Sequence, residues 1–237
     1  MKPKALTYEL DTTGLSMNDV ASINYTMFVS KTYDWWYEVL PGDTVVDIGA
    51  SIGAFSAKAL DAGAKRVYMI EPNKQLLKTA VKNVSDYIID TEDRKVFAIN
   101  AAIGKTDVDL SNIYKSSTLN DNQQEPPLMS LRQLLDTNGL TDIDFLKVSV
   151  GGAEFNILDA DMLDFITENV RHIAVVVNLN AQYGSKEKFV KWRDTFLKPL
   201  MDSNKVNFQD YSYAEKLFEP NFNELVPGCF LVYITNW

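Results

Sequence analysis

The 237 residues hold 23 Lys and Arg against 32 Asp and Glu, a net charge of −9, and 46% of them are hydrophobic. That length and apolar share suit one α/β domain with a single substantial core and at most a small appendage. The acidic balance argues against a nucleic-acid substrate, whose binding rests on Lys and Arg neutralising phosphates.

Residues 1 to 15 read as extended or irregular. Asp19 to Leu40 reads as helical, with Val20, Ile23, Met27, Phe28 and Val39 facing inward. This suggests a helical extension, residues 1–40, packed on a core domain, residues 41–237. Inside it, Tyr33-Asp34-Trp35-Trp36-Tyr37 is either a lid or acceptor wall, or packing onto the sheet. Pro41-Gly42-Asp43 is a turn into the first strand, Thr44 to Ile48, a β-branched run. Gly49 and Gly53 flank a turn, and Ile52 to Leu60 is a helix closed by Gly63. Arg66 to Ile70 is the second strand and ends on Glu71-Pro72. Asn73 caps a helix carrying Leu76, Leu77, Ala80, Val81 and Val84. Lys74, Lys78 and Lys82 on one face of it are read as solvated.

Lys95 to Ile99 is a third strand ending on Asn100-Ala101. Gly104 to Met129 is long and polar, with a short hairpin around Val108, Leu110, Ile113 and Tyr114; a loop of that length is a candidate for acceptor contact. Ser130-Leu131-Arg132-Gln133 is a capping box that opens a helix ending near Gly139. Ile143 to Val148 is the fourth strand and His172 to Val177 the fifth. His172, the only histidine, starts its strand and so lies on the wrong edge of the sheet for catalysis. Asn178 and Asn180 lie on the right edge. Ser185 to Met201 is an amphipathic helix. Val206 to Tyr213 and Cys229 to Thr235 form a terminal strand pair, the last antiparallel, with a short helix in Ala214 to Pro227. Cys229, the one cysteine, reads as a core residue. The whole predicts a doubly wound, Rossmann-like α/β fold with a seven-stranded sheet.

The chemistry lies around the first turn. Asp47 stands two residues before Gly49, and Glu71 ends the second strand, where an acidic side chain accepts hydrogen bonds from ribose hydroxyls. The turn is G-x-x-x-G and lacks the three glycines that seat a pyrophosphate. Asp47 would repel a pyrophosphate and suits a ligand with a cationic centre. S-adenosylmethionine has a ribose, an adenine, an ammonium and a sulfonium, and no phosphate.

D-T-V-V-D-I-G-A-S-I-G-A-F-S followed by M-I-E-P-N resembles the class I adenosylmethionine-dependent methyltransferases, and more narrowly the FkbM family. Asp144-Phe145-Leu146-Lys147-Val148-Ser149-Val150-Gly151-Gly152-Ala153-Glu154 resembles that family's D-x-L-K-I-D-V-E-G-A-E, with Ser149 in place of the usual Asp and Gly151 in place of the first Glu. The resemblance implies that Asp47, Gly49, Ala50, Ser51, Gly53, Phe55, Glu71, Pro72, Asn100 and Ala101 hold S-adenosyl-L-methionine. For Asn100 the alternative is a turn residue bonding its own backbone. The resemblance places Lys147, Ser149 and Glu154 at the reacting end; no metal-ligand set is assigned. Lys147 is otherwise a salt bridge or sheet-edge contact, and Glu154 otherwise a carboxylate favoured at a helix start.

The implied reaction is O-methylation of a small-molecule or sugar hydroxyl. The alternative is an adenosylmethionine-binding module with a degenerate catalytic motif, since neither Ser149 nor Gly151 supplies an anion. The N-terminus lacks the apolar core of a signal peptide, and no apolar run approaches the roughly 18 residues of a membrane helix. A cytoplasmic protein with no nucleic-acid or membrane partner is expected.

Overall fold

The computed structural model describes residues 9–87, 93–105, 126–179 and 186–236. Seven strands form one sheet in the order β3-β2-β1-β6-β7-β9-β8: Thr44–Ile48 (β1), Arg66–Ile70 (β2), Lys95–Ile99 (β3), Ile143–Val148 (β6), Val170–Asn178 (β7), Val206–Phe208 (β8) and Cys229–Thr235 (β9). The first five of that order are parallel, and β9 runs antiparallel to both β7 and β8. Ala102–Ile103 (β4) and Leu128–Met129 (β5) make a separate two-strand pair. The chain order reverses between β1 and β6, so their carboxyl ends open the crevice where ligands bind in such sheets.

Alternation along the central strands divides the core. Val46, Ile48, Leu146 and Val148 face one layer with Leu131–Asn138 (α4) and Leu163–Asn169 (α6). Val45, Phe145 and Ala174 face the other, with Ala54–Asp61 (α2), Lys74–Val84 (α3) and the N-terminal segment. Among the described residues the remaining helices are Met17–Asn24 (α1), Glu154–Ile157 (α5), Lys186–Trp192 (α7), Lys198–Asp202 (α8), Tyr213–Lys216 (α9) and Phe222–Leu225 (α10). The expected capping box is present: Ser130 Oγ accepts from Gln133 N, and α4 ends at Gly139.

Several expectations need correcting. The helix read over Asp19 to Leu40 ends early: α1 gives way to a π turn at Tyr25–Val29 and a 3₁₀ turn at Thr32–Asp34. Thr26 and Ser30 hydroxyls bond back to carbonyls of the preceding turn, competing with the helix ladder, and Lys31 at φ 48° breaks it. The aromatic run divides: Tyr33 is buried, Trp35 and Trp36 are exposed, and Tyr37 stacks on His172 with ring centroids 3.4 Å apart. The strand read over Val206 to Tyr213 stops at Phe208, because Asp210 Oδ1 accepts from Ser212 N and turns the chain into α9. Cys229 is exposed rather than core, at the first position of β9 opposite Asn178. The hairpin around Val108 and the site residue Asn180 lie outside the described residues. Among those described, no helix is long and apolar enough to cross a membrane.

Candidate active site

Two carboxylates flank the first turn, and the structure uses them differently. Asp47 and Lys147 are direct partners across β1 and β6. Lys147 Nζ donates to Asp47 Oδ1 at 2.7 Å and to the Gly49 carbonyl at 2.9 Å. Ser56 Oγ, on the first turns of α2, donates to Asp47 Oδ2 at 2.7 Å. Asp47 is 0% exposed and Lys147 3%. Burial pulls the Lys147 ammonium down, but the adjacent Asp47 charge and the Tyr33 phenol outweigh it, so its pKa is held above the usual lysine value. The anionic charge that the sequence offers to a ligand's cationic centre is therefore already neutralised. Asp47 supports the turn from below, and Lys147 remains an ammonium held by two acceptors.

The turn must be glycine at its first position. Gly49 has φ +80°, and a Cβ there would lie 2.0 Å from the Ser149 carbonyl oxygen. Gly49 N and Ala50 N both donate to the Ile70 carbonyl, at 2.9 and 3.0 Å, tying the turn to the end of β2. At Gly53 a Cβ would lie 2.9 Å from Ala80 Cβ, so this glycine lets α2 approach α3. Ala50 and Phe55 are buried, and Ser51 is half-buried with φ 52°.

Glu71 is the carboxylate that faces the turn. Its Oε2 accepts from Ser51 N at 2.9 Å and its Oε1 from Asn73 N at 2.9 Å. Each oxygen carries further lone pairs. Burial pushes its pKa up, against the two backbone donors that favour the charged form. Asn100 Nδ2 donates to the carbonyls of Glu71 and Pro72 at 3.0 and 2.8 Å. It thus clamps the ends of β2 and β3 together, and Ala101 beside it is 1% exposed.

At the end of β6, Ser149 N donates to the Ile48 carbonyl at 3.0 Å, while its side chain takes no hydrogen bond among the described residues. Glu154 is turned inward and 0% exposed. Its Oε2 accepts from Gly152 N at 2.7 Å and its Oε1 from Asn178 N at 2.6 Å, so it staples the loop after β6 to the end of β7. Burial pushes its carboxyl up to about 7, against these backbone donors. Gly151 is exposed, at φ +60°, with open space where a Cβ would stand. His172 stands at the opposite edge, where burial lowers its pKa to about 4. Among the described residues no three His, Cys, Asp or Glu side chains group as a metal site.

The family described as the methyltransferase FkbM domain matches residues 47–213, from Asp47 of the turn through all the strand ends just described. The chain belongs to the FkbM methyltransferase family. The solved FkbM methyltransferase of Methylobacillus flagellatus KT is 16% identical with a TM-score of 0.52; the match covers 85% of this chain and 45% of that one. This chain therefore spans less than half of that protein. A putative rRNA methylase of Clostridium thermocellum is 16% identical over 93% of this chain and 96% of its own, at TM-score 0.45. Fibrillarin of Aeropyrum pernix, solved with natively bound S-adenosyl-L-methionine, is 14% identical over 86% and 72%, at TM-score 0.44. No curated protein sequence matches.

Within this FkbM domain the structure adds roles that sequence reasoning missed. Ser56 completes the cradle of Asp47, and Asn73, which caps α3 as expected, also orients Glu71 with its backbone N–H. Asn83 Nδ2 donates to the Ile52 carbonyl at 2.8 Å and to the Asp11 carbonyl at 3.0 Å, fastening the N-terminal strap beside the turn. The E-P-N tripeptide was a usable signal for Asn73. Nothing local marks Ser56 or Asn83.

Proposed function

We propose that this FkbM protein uses S-adenosyl-L-methionine to methylate a hydroxyl of a small molecule or sugar. The observation that carries the cofactor is Glu71, held by Ser51 N and Asn73 N with lone pairs left for two ribose hydroxyls, beside a turn with no pyrophosphate nest. Asn100 and Ala101 at the end of β3 would border the adenine, and Pro72 the ribose. Gly49 to Gly53 would let the ligand approach the backbone closely.

The bound cofactor would supply an activated methyl on a sulfonium; as the acceptor oxygen takes the methyl, the C–S electron pair leaves with S-adenosylhomocysteine and the hydroxyl proton passes to water, so the protein's task is chiefly alignment of an in-line displacement. Ser149 and Asn178 give the acceptor side hydroxyl and amide groups, which suit an uncharged hydroxyl acceptor. Glu154 acts as a positioning residue here, because both its oxygens hold backbone donors. The net charge of −9 supports a small or carbohydrate acceptor over a nucleic acid or an anionic membrane. The exposed, unpaired Cys229 suits the reducing cytoplasm.

Calorimetric titration with S-adenosylmethionine and S-adenosylhomocysteine, with NAD as control, tests this reading on wild type and Glu71→Ala. Micromolar binding of the first two, lost in the variant, is expected, followed by label transfer from methyl-labelled donor to a panel of glycosides and phenols. Preference for NAD, or binding indifferent to Glu71, refutes the cofactor assignment. Binding without transfer to any acceptor that itself binds refutes the reaction.

A further inference from the structure

The N-terminal segment carries one polar group to the ligand edge that the cofactor assignment above leaves unused. Tyr33 is 7% exposed. Its ring meets Phe55 edge-on with centroids 5.4 Å apart, and Lys147 Nζ lies 5.5 Å from its centroid. Among the described residues no hydrogen bond reaches its hydroxyl. Among the described residues the fully sealed, unpartnered side-chain polar atoms are Trp192 Nε1 and Asn236 Oδ1; the Tyr33 oxygen is not one of them and so keeps some accessible surface.

Its neighbours are already satisfied. The Tyr233 hydroxyl donates to the Thr32 carbonyl at 2.5 Å, and Lys147 is divided between Asp47 and the Gly49 carbonyl. A near-buried hydroxyl with no protein partner, among groups that all have theirs, points to a ligand as its partner.

Strand order says which part of a ligand arrives there. Along β3-β2-β1-β6, the adenine side lies at Asn100 after β3 and the ribose at Glu71 after β2. The 5′ side chain of an adenosyl ligand then leads the other way, over Gly49 towards β6. Tyr33 stands on that side, against the first turn of α2 and Lys147 of β6. In S-adenosylmethionine the 5′ side chain ends in an ammonium and a carboxylate. A phenol hydroxyl can donate to a carboxylate, and a charged acceptor makes this a strong bond.

We infer that the Tyr33 hydroxyl donates to the carboxylate at the end of the cofactor's 5′ side chain, and so selects adenosyl ligands that carry an amino-acid tail. This rests on the cofactor assignment proposed above. It also gives the N-terminal segment a part in ligand recognition.

The test compares S-adenosylhomocysteine with 5′-methylthioadenosine, which keeps the adenosine and the thioether but has no amino-acid tail. Both are titrated calorimetrically into wild type and Tyr33→Phe, a change that keeps the ring on Phe55. Thermal melting of both proteins is recorded alongside. The expected result is a loss of about tenfold or more in S-adenosylhomocysteine affinity, with 5′-methylthioadenosine affinity unchanged. Unchanged affinity for both ligands in the variant overturns the inference. So does an equal loss for both with a lowered melting temperature, which marks a packing role. If wild type itself binds neither ligand, the cofactor assignment fails first, before any substitution, and this role falls with it.

Discussion

Replacing Lys147 by Met leaves Asp47 buried with only Ser56 as a partner. Asp47 is 0% exposed and its Oδ1 has Lys147 Nζ at 2.7 Å, so water cannot take over the lost bond without opening the sheet. Breaking a buried ion pair from one side typically costs about 3–5 kcal/mol. Against a domain stability of about 5–15 kcal/mol, that is a large fraction. Asp47→Asn should lose a comparable amount, since it leaves the buried ammonium with the Gly49 carbonyl but no anion. The double variant removes both charges and should lose clearly less than the sum of the singles, leaving a coupling of about 2 kcal/mol or more. Urea unfolding of the four proteins, followed by fluorescence and fitted with a common slope, gives these terms. Additive singles, or a loss below about 1 kcal/mol in Lys147→Met, would refute the pair as the support beneath the turn.

Gly49→Ala should abolish cofactor binding and lower the melting temperature sharply, because its Cβ would sit 2.0 Å from the Ser149 carbonyl oxygen; a correctly folded, binding-competent variant in a thermal melt with ligand refutes the contact. The Glu154 carboxyl, raised by burial to about 7 from 4.5, favours the fold below its unfolded pKa and loses that contribution as pH rises through 7. Wild type should therefore lose stability relative to Glu154→Gln between pH 5 and 8, by at most about 3 kcal/mol, as read by urea titration at both values. His172, lowered to about 4 from 6.5, has the opposite sign: its contribution is present above pH 6.5 and is lost as pH falls towards 4. As the only histidine, it gives one imidazole resonance set in proton NMR, which should not titrate between pH 5.5 and 8.

Local pattern carried the strands of the large sheet. The β-branched runs at Thr44–Ile48 and Ile143–Val148 end where their structural strands end, because Pro41-Gly42-Asp43 and Ser149 onward interrupt them. The chemistry beneath them was less visible. Asp47 looked available because its partner is 100 residues away, and parallel register across β1 and β6 leaves no mark in either segment. The break in the N-terminal helix came from hydroxyls bonding back to the ladder at Thr26 and Ser30, a competition that hydrophobic period does not report. Two-residue pairings such as Ala102–Ile103 with Leu128–Met129 are too short for any periodicity to show. Glu154 was found by resemblance, yet its inward orientation follows from donors on two separate strand ends.

The register between β1 and β6 also sets when the turn becomes competent during synthesis. The first half of the chain, through β3, includes Asp47, Gly49, Glu71 and the Ile70 carbonyl that ties the turn, but Asp47 is neutralised by Lys147 and Gly49 packs closely against the Ser149 carbonyl. Until residues near 150 have left the ribosome, a nascent chain would hold the Asp47 carboxylate without its cation on an open edge of β1. Contacts of such sequence separation form late. Ribosome-bound chains cut before Ile143 should therefore fail to retain adenosyl ligand, while chains long enough to seat β6 should begin to do so.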